Sequence, residues 1–123
     1  MPIPIRILLF DGKSCPLAGF PGRLTFRIDP TADDQVVAVD ETGMRYRVYW
    51  PEGFRGGTWD VPVVHDPHGL VVVRDGEVLE IPVDGRFPNL RGYSVCSGAD
   101  QVSPAIWVQF QTISIRDAGR KIN

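Results

Sequence analysis

The chain has 123 residues, of which 43% are hydrophobic and 23% charged, and its 13 basic and 15 acidic residues give a net charge of −2. A chain of this size can bury enough apolar surface to fold as one domain, and its weak net charge excludes a strong overall attraction to nucleic acid or to an anionic membrane. No apolar segment approaches the roughly 20 residues that span a bilayer, and residues 1–10 have neither the basic start nor the small-residue cleavage site of a signal peptide. We therefore expect a single cytoplasmic domain over residues 1–123.

Strand signals recur along the chain at short spacing. Thirteen glycines and eleven prolines are spread without a period, which is typical of many short strands joined by turns. The expected strands are residues 3–10, 22–28, 35–39, 44–50, 59–64, 70–74, 77–83, 93–96 and 106–115. Only residues 97–105 and the tail after Arg116 resemble helical turns. The sequence predicts an all-β domain, a sandwich or partly open barrel of about eight or nine mainly antiparallel strands with little or no helix.

The clearest local prediction concerns residues 70–81. Two runs rich in β-branched residues flank Asp75-Gly76, a dipeptide that favours a two-residue type I′ hairpin turn. Both faces of such a hairpin would be largely apolar, so we expect another sheet, a loop or a second subunit to cover the second face. A homodimer interface is suggested by the valines of that face, Val71, Val73 and Val78.

Proline and cysteine positions give two further expectations. Pro62 and Pro82 interrupt strand runs, and because proline cannot donate to a ladder, their strands should lie at sheet edges or contain local breaks. Cys15 and Cys96 can neither define a disulfide framework nor complete a zinc site, so we expect reduced thiols, with Cys96 the more buried.

The densest group of candidate functional residues lies between residues 51 and 69. The glycine-rich loop 51–57 carries an aromatic and an arginine side chain that could fold over a ligand, although a plain connection between strands would have the same composition. Nothing in the sequence places a nucleophile beside a base, and neither a Gly-x-Ser-x-Gly elbow nor a phosphate-binding glycine loop occurs; catalytic groups need no sequence signature, so the sequence leaves an enzyme open but favours a non-catalytic protein without a cofactor. The main hypothesis is a binding or interaction module for a small ligand or a protein, whose ligand-binding rim consists of Phe54, Arg55, Trp59, His65 and His68.

Both histidines of the chain belong to the segment His65-Asp66-Pro67-His68. With Asp66 or Asp60 as a third ligand they could form an open zinc or iron site, and the alternative function is a small metal-dependent enzyme or metal-binding barrel. The spacing matches no strong metal signature, and exposed or hydrogen-bonded turn histidines explain it as well. We assign no metal.

A third hypothesis concerns outward arginines on two alternating strands. The set consists of Arg23, Arg27, Arg45 and Arg47, with Tyr49 nearby. Together they could form a basic and aromatic surface of the kind that stacks single-stranded bases and binds their phosphates. The sequence does not establish whether the two strands are neighbours, and the overall acidity favours a solvated face, so nucleic acid is not the expected partner. Eleven of the 13 basic residues are arginine, which we interpret as the signature of a GC-rich, bacterial genome.

The tripeptide Gly57-Thr58-Trp59 resembles the Gly-x-Trp that begins the first strand of lipocalin-like and avidin-like barrels. The resemblance covers three residues, stands in the middle of the chain and assigns no family. It implies one alternative, a barrel whose interior holds an apolar ligand.

Overall fold

The computed structural model describes residues 3–10, 22–58, 60–80, 89–99 and 104–109. In these residues it contains twelve strands and no helix, which confirms the all-β, partly barrel-like prediction. The strands are β1 (Ile3–Ile5), β2 (Leu8–Phe10), β3 (Leu24–Ile28), β4 (Val36–Asp40), β5 (Arg45–Pro51), β6 (Arg55–Thr58), β7 (Pro62–His65), β8 (Val71–Arg74), β9 (Val78–Leu79), β10 (Asn89–Leu90), β11 (Tyr93–Ala99) and β12 (Pro104–Gln109). Nothing helical in the described ranges is long and apolar enough to cross a membrane.

The strands form two sheets. The small sheet has the order β1-β6-β7-β8 and is antiparallel throughout. The large sheet has the order β10-β11-β12-β5-β4-β3-β9, with β2 beside β5. Its central strand β5 is antiparallel to β4 but parallel to β12 and β2, so the sheet is mixed.

One hydrophobic cluster joins the two sheets. The large sheet contributes alternate residues of β3 and β5, and Phe26 and Trp50 are completely buried, as the period-two pattern predicts. The small sheet contributes Ile5, Val64 and Val73. The inner faces of both sheets therefore share a single core.

The predicted first strand is divided between the sheets. β1 pairs with β6 of the small sheet, whereas β2 pairs with β5 of the large sheet. At the break, the backbone nitrogen of Arg6 donates to Oε1 of Gln35 at 2.7 Å, and its Nη2 donates to the carbonyl oxygen of Asp33 at 2.8 Å. These bonds hold the crossing segment against the loop before β4.

The predicted hairpin over residues 70–81 is wrong. β8 pairs with β7, and β9 pairs with β3 of the other sheet. A turn does form, because the Glu77 nitrogen donates to the Arg74 carbonyl at 3.0 Å, but only Gly76 of the central pair has a positive φ, +86°, so the turn is not type I′. The Gly76 nitrogen donates to the Phe26 carbonyl at 2.7 Å, which draws the segment onto β3.

Burial of β8 alters the argument for a homodimer. Val72 and Val73 are both 0% exposed, so the described chain itself covers the two apolar faces of this strand. Val71 is half-buried, and Val78 alone of the three named valines is exposed, at 45%. Val73 is thus a core residue, and the homodimer remains a prediction without it.

A two-residue turn with positive φ at both positions occurs instead at Arg91-Gly92, where φ is +49° and +98°. It joins β10 to β11, with Leu90 opposite Tyr93. The Arg91 Nη1 donates to the Val72 carbonyl at 2.7 Å and also forms an ion pair with Glu77. These contacts tie the turn to β8 and account for a non-glycine residue in the left-handed region.

The structure decides three other local expectations. Pro62 begins β7, an inner strand of the small sheet, so its strand is not at an edge; a register shift between Val64 and His65 supplies the alternative, a local break. The described part of residues 97–105 belongs to β11 and β12 and is not helical. Cys96 is 1% exposed, as expected, but it is disulfide-bonded, so the expected free thiol is wrong. Cys15, Pro82 and the tail after Arg116 lie outside the described residues.

Candidate functional site

Two loops meet at the end of the small sheet. The first rim loop, residues 52–54, leads from β5 to β6, and the second, residues 66–70, leads from β7 to β8. Gly53 in the first loop has a φ of +92°, and a Cβ atom there would lie 2.8 Å from Cγ of Pro67 in the second. The loops are therefore in direct contact, and glycine is required at this approach.

Asp66 holds the second rim loop in place. One carboxylate oxygen, Oδ1, accepts from the backbone nitrogens of His68 and Leu70, both at 2.9 Å. The other, Oδ2, accepts from the hydroxyl of Tyr93 at 2.7 Å. Asp66 is 4% exposed, so these bonds compensate a buried charge.

The same contacts shift the pKa values of both Asp66 and Tyr93. Burial alone would raise the pKa of Asp66, but the hydrogen bonds from Tyr93, Leu70 and His68 outweigh it and lower the pKa. Burial, together with the hydrogen bond to the Asp66 carboxylate, raises the pKa of Tyr93 to about 12. At neutral pH a charged carboxylate and a neutral phenol therefore share this bond.

Phe54 connects this pair to the core. Its ring lies edge-on to Tyr93, with centroids 5.1 Å apart, and 5.7 Å from the ring of Trp50. Phe54 is only 3% exposed. The structure thus places this member of the predicted rim beneath the surface, where it supports the loops and does not face solvent.

The other predicted rim residues differ in their exposure to solvent. Arg55 on β6 and His65 on β7 are directly opposite in the register; Arg55 is exposed and His65 is half-buried. His65 Nδ1 lies 3.1 Å from the Asp66 carbonyl oxygen. His68, on the second rim loop, is exposed. Trp59 lies outside the described residues.

The metal hypothesis finds no supporting geometry in the described part of the chain. No group of three His, Cys, Asp or Glu side chains there could hold a metal ion. Both oxygens of Asp66 already accept hydrogen bonds, so coordination by this carboxylate would remove bonds that hold the loop.

The interior-ligand alternative can be compared with one cavity. It has a volume of about 80 Å³, and its lining includes apolar Val36 and Val48 and charged Arg6, Asp33 and Asp34. Sites for organic ligands usually measure roughly 300 Å³ or more. This cavity therefore does not support a ligand-holding barrel.

Sequence reasoning missed the roles of Asp66 and Tyr93. Asp at the start of a turn followed by Pro is a recognised signal for a side chain that bonds the backbone two residues on, so the Asp66 loop could have been proposed. Tyr93 is 27 residues away, and no local signal connects it to Asp66. No protein-family model, curated protein or solved structure matches the chain.

Proposed function

We propose that the protein is a non-catalytic binding module whose ligand contacts the rim at Arg55, His65 and His68. Trp59, which follows β6 in the sequence, and Phe54, which lies beneath the surface, complete the proposed site. The observation that carries the proposal is the network of Asp66, Tyr93 and Phe54, which fixes both rim loops to the core. A rim held in one conformation before binding loses little conformational entropy when a ligand arrives.

Charge favours a ligand that bears a carboxylate. The Arg55 side chain is exposed, and no described acidic side chain forms a salt bridge with it. The two rim loops contain two acidic residues. The Asp66 carboxylate is buried and accepts three hydrogen bonds, whereas Glu52 is exposed. Arginine binds a carboxylate through two parallel hydrogen bonds, and the exposed Arg55 side chain is accessible to such a ligand.

The test is a titration of the isotopically labelled protein followed by nuclear magnetic resonance. The two probes are an oligoglutamate peptide and glutarate, which separate an acidic protein segment from a small dicarboxylate. We expect amide shifts at Arg55, His65 and His68–Leu70 with at least one probe, and weaker binding in Arg55→Gln. Arg45→Gln, which removes an exposed arginine from the large sheet, is the matched control and should bind normally.

Two results would overturn the proposal. The first is the absence of shifts at the rim with either probe. The second is binding that Arg55→Gln and Arg45→Gln weaken equally, since the rim would then contribute nothing specific.

The remaining expectations stay predictions. A bacterial source and a homodimer rest on the sequence arguments above. The expected cytoplasmic location rests on the same arguments. One observation opposes it: Cys96 is disulfide-bonded, and disulfides persist mainly in oxidising compartments outside the cytoplasm.

A further inference from the structure

The arginines of the two alternating strands share one face of the large sheet. β4 lies between β3 and β5, and the register places Arg27, Val37 and Arg47 in one row. The next row contains Thr25, Val39 and Arg45. Arg23 precedes Thr25 by two residues and therefore points to the same side. We call the four residues Arg23, Arg27, Arg45 and Arg47 the arginine face.

The arginine face has regular dimensions. Arg45 and Arg47 are two residues apart on β5, which separates them by about 7 Å, and Arg27 lies two strands from Arg47, or roughly 10 Å. Val37 is buried and Val39 is half-buried between them. The charged groups thus surround an apolar floor on a surface of fixed backbone.

An aromatic pair continues this surface. Tyr49 follows Arg47 by two residues on β5, and its register partner on β12 is Trp107. The two rings are stacked, with centroids 5.4 Å apart and an angle of 11° between their planes. Both residues are half-buried. Strand pairing therefore places a stacked aromatic pair beside two arginines.

Acidic residues lie around the arginine face. Salt bridges of 3.2, 3.9 and 3.7 Å join Arg23 to Glu80, Arg27 to Asp75 and Arg47 to Asp34. No described acidic side chain forms a salt bridge with Arg45. The Arg23–Glu80 pair is exposed on both sides and is worth only about 0–1 kcal/mol, whereas Asp75 and Arg47 are partly buried in their pairs, so Arg45 is the arginine best placed to meet a phosphate.

We propose that the arginine face and the Tyr49–Trp107 pair bind single-stranded nucleic acid. Arg45 and Arg47 contact phosphates, and a base stacks on the outer side of the aromatic pair. Arg45, which forms no salt bridge with a described acidic side chain, favours an anionic ligand, and the aromatic pair favours one that carries planar bases. A single strand fits because its bases, unlike those of a duplex, are free to stack on side chains. This surface belongs to the other sheet and does not depend on the rim.

The experiment measures fluorescence anisotropy of a labelled oligothymidylate of about 12 nucleotides, a length that one β-domain can cover. We expect binding at low salt that weakens as salt is raised, because each phosphate contact releases counterions. Arg45→Gln should weaken binding and reduce the slope of log affinity against log salt by about one. Arg74→Gln, which removes an exposed arginine of β8 in the small sheet, is the matched control and should bind like the original protein.

The aromatic contribution is tested separately. Trp107→Leu should weaken oligothymidylate binding on the order of ten-fold, while binding of inorganic polyphosphate, which has no bases, should not change. Circular dichroism shows whether this half-buried position tolerates leucine; if it does not, Arg45→Gln at an exposed position decides alone. Absence of oligothymidylate binding at low salt would overturn the proposal. So would equal affinity for polyphosphate and oligothymidylate, which would indicate a general polyanion surface.

Discussion

Two aspartates organise turns in the same way. Asp66 accepts from the backbone nitrogens two and four residues further on, and from a tyrosine hydroxyl. Asp40 likewise accepts from the nitrogens of Thr42 and Met44 and from the hydroxyl of Tyr46. The difference is that the Asp40 bonds are local, whereas Tyr93 reaches Asp66 across 27 residues. The long-range bond therefore contributes to the position of the rim and not only to the shape of a turn.

Replacing Tyr93 by phenylalanine tests this contribution. The change removes the 2.7 Å hydrogen bond and leaves Oδ2 of a 4% exposed carboxylate without its donor. We expect the free energy of unfolding to fall by about 1–3 kcal/mol, measured by urea denaturation. Tyr46→Phe is the matched control: it removes the corresponding donor from Oδ2 of Asp40, but that bond is longer, 3.3 Å, and joins residues only six positions apart. Equal losses in the two variants would contradict a special role for Tyr93.

Elements with one buried face could be predicted from the sequence. β3 and β5 lie close to their expected positions because alternate residues face the core, and a shift by one residue would bury their arginines. The hairpin at Asp75-Gly76 could not be excluded, because turn propensity is local and the competing partner is distant. Oδ1 of Asp75 accepts from the Ile28 nitrogen at 2.8 Å, and this bond to β3 joins residues 47 positions apart.

The candidate site, too, could be predicted only in part from the sequence. Composition directed attention to Arg55, His65 and His68, and the register does place the first two side by side. Sequence could not show that Phe54 is buried, because its environment includes Tyr93 of a distant strand. Trp107 was missed for the same reason: its stack with Tyr49 depends on the parallel pairing of β12 with β5.

β6 was missed because its Arg-Gly-Gly-Thr sequence has the composition of a loop. The structure explains the glycine: a Cβ atom at Gly56 would lie 2.7 Å from Cβ of Ile5 and 3.0 Å from its carbonyl oxygen. Gly56→Ala should therefore push β1 away from β6. We expect a loss of about 1–3 kcal/mol in the free energy of unfolding, with faster amide hydrogen exchange in β1.

Gly76→Ala is the control for this strand contact. Gly76 has a φ of +86° and nothing within 4 Å of an added Cβ, so its cost comes from the backbone conformation alone. That cost should be about 1–2 kcal/mol and should leave exchange in β1 unchanged. If Gly56→Ala destabilised the protein without affecting β1, the explanation by close approach would be wrong.

At the scale of the whole molecule, several groups with shifted pKa values couple stability to pH. Hydrogen bonds lower the pKa values of Asp29, Asp40 and Asp66; for Asp29 and Asp40 the main donor is a threonine of the same turn, and for Asp66 it is the distant Tyr93 hydroxyl. Burial and a neighbouring carboxylate raise the pKa values of Tyr46 and Tyr93, the latter to about 12. These shifts act at opposite ends of the pH scale and leave the neutral range unaffected.

The direction in which stability changes with pH depends on whether the folded or the unfolded state binds protons more tightly. Below pH of about 4, the ordinary aspartate value, the unfolded chain takes up protons before the folded protein does, so stability falls as the pH decreases. Above pH of about 10, the ordinary tyrosine value, the unfolded chain loses protons first, so stability falls until the pH passes the pKa of Tyr93, about 12. Urea denaturation across this range should show a plateau between the two limits.

Tyr93→Phe should change both the acid and the alkaline limb of this stability profile. The variant lacks the phenol, so the decline above pH of about 10 should become shallower, with Tyr46 responsible for what remains. It also lacks the donor that lowers the pKa of Asp66, so its acid limb should lose part of its depth. A merely loosened core would lower the plateau and leave both limbs parallel to those of the original protein. Because the hydrogen bond joins both titrating groups, a change in only one limb would contradict the assignment of Asp66 and Tyr93 as one coupled unit.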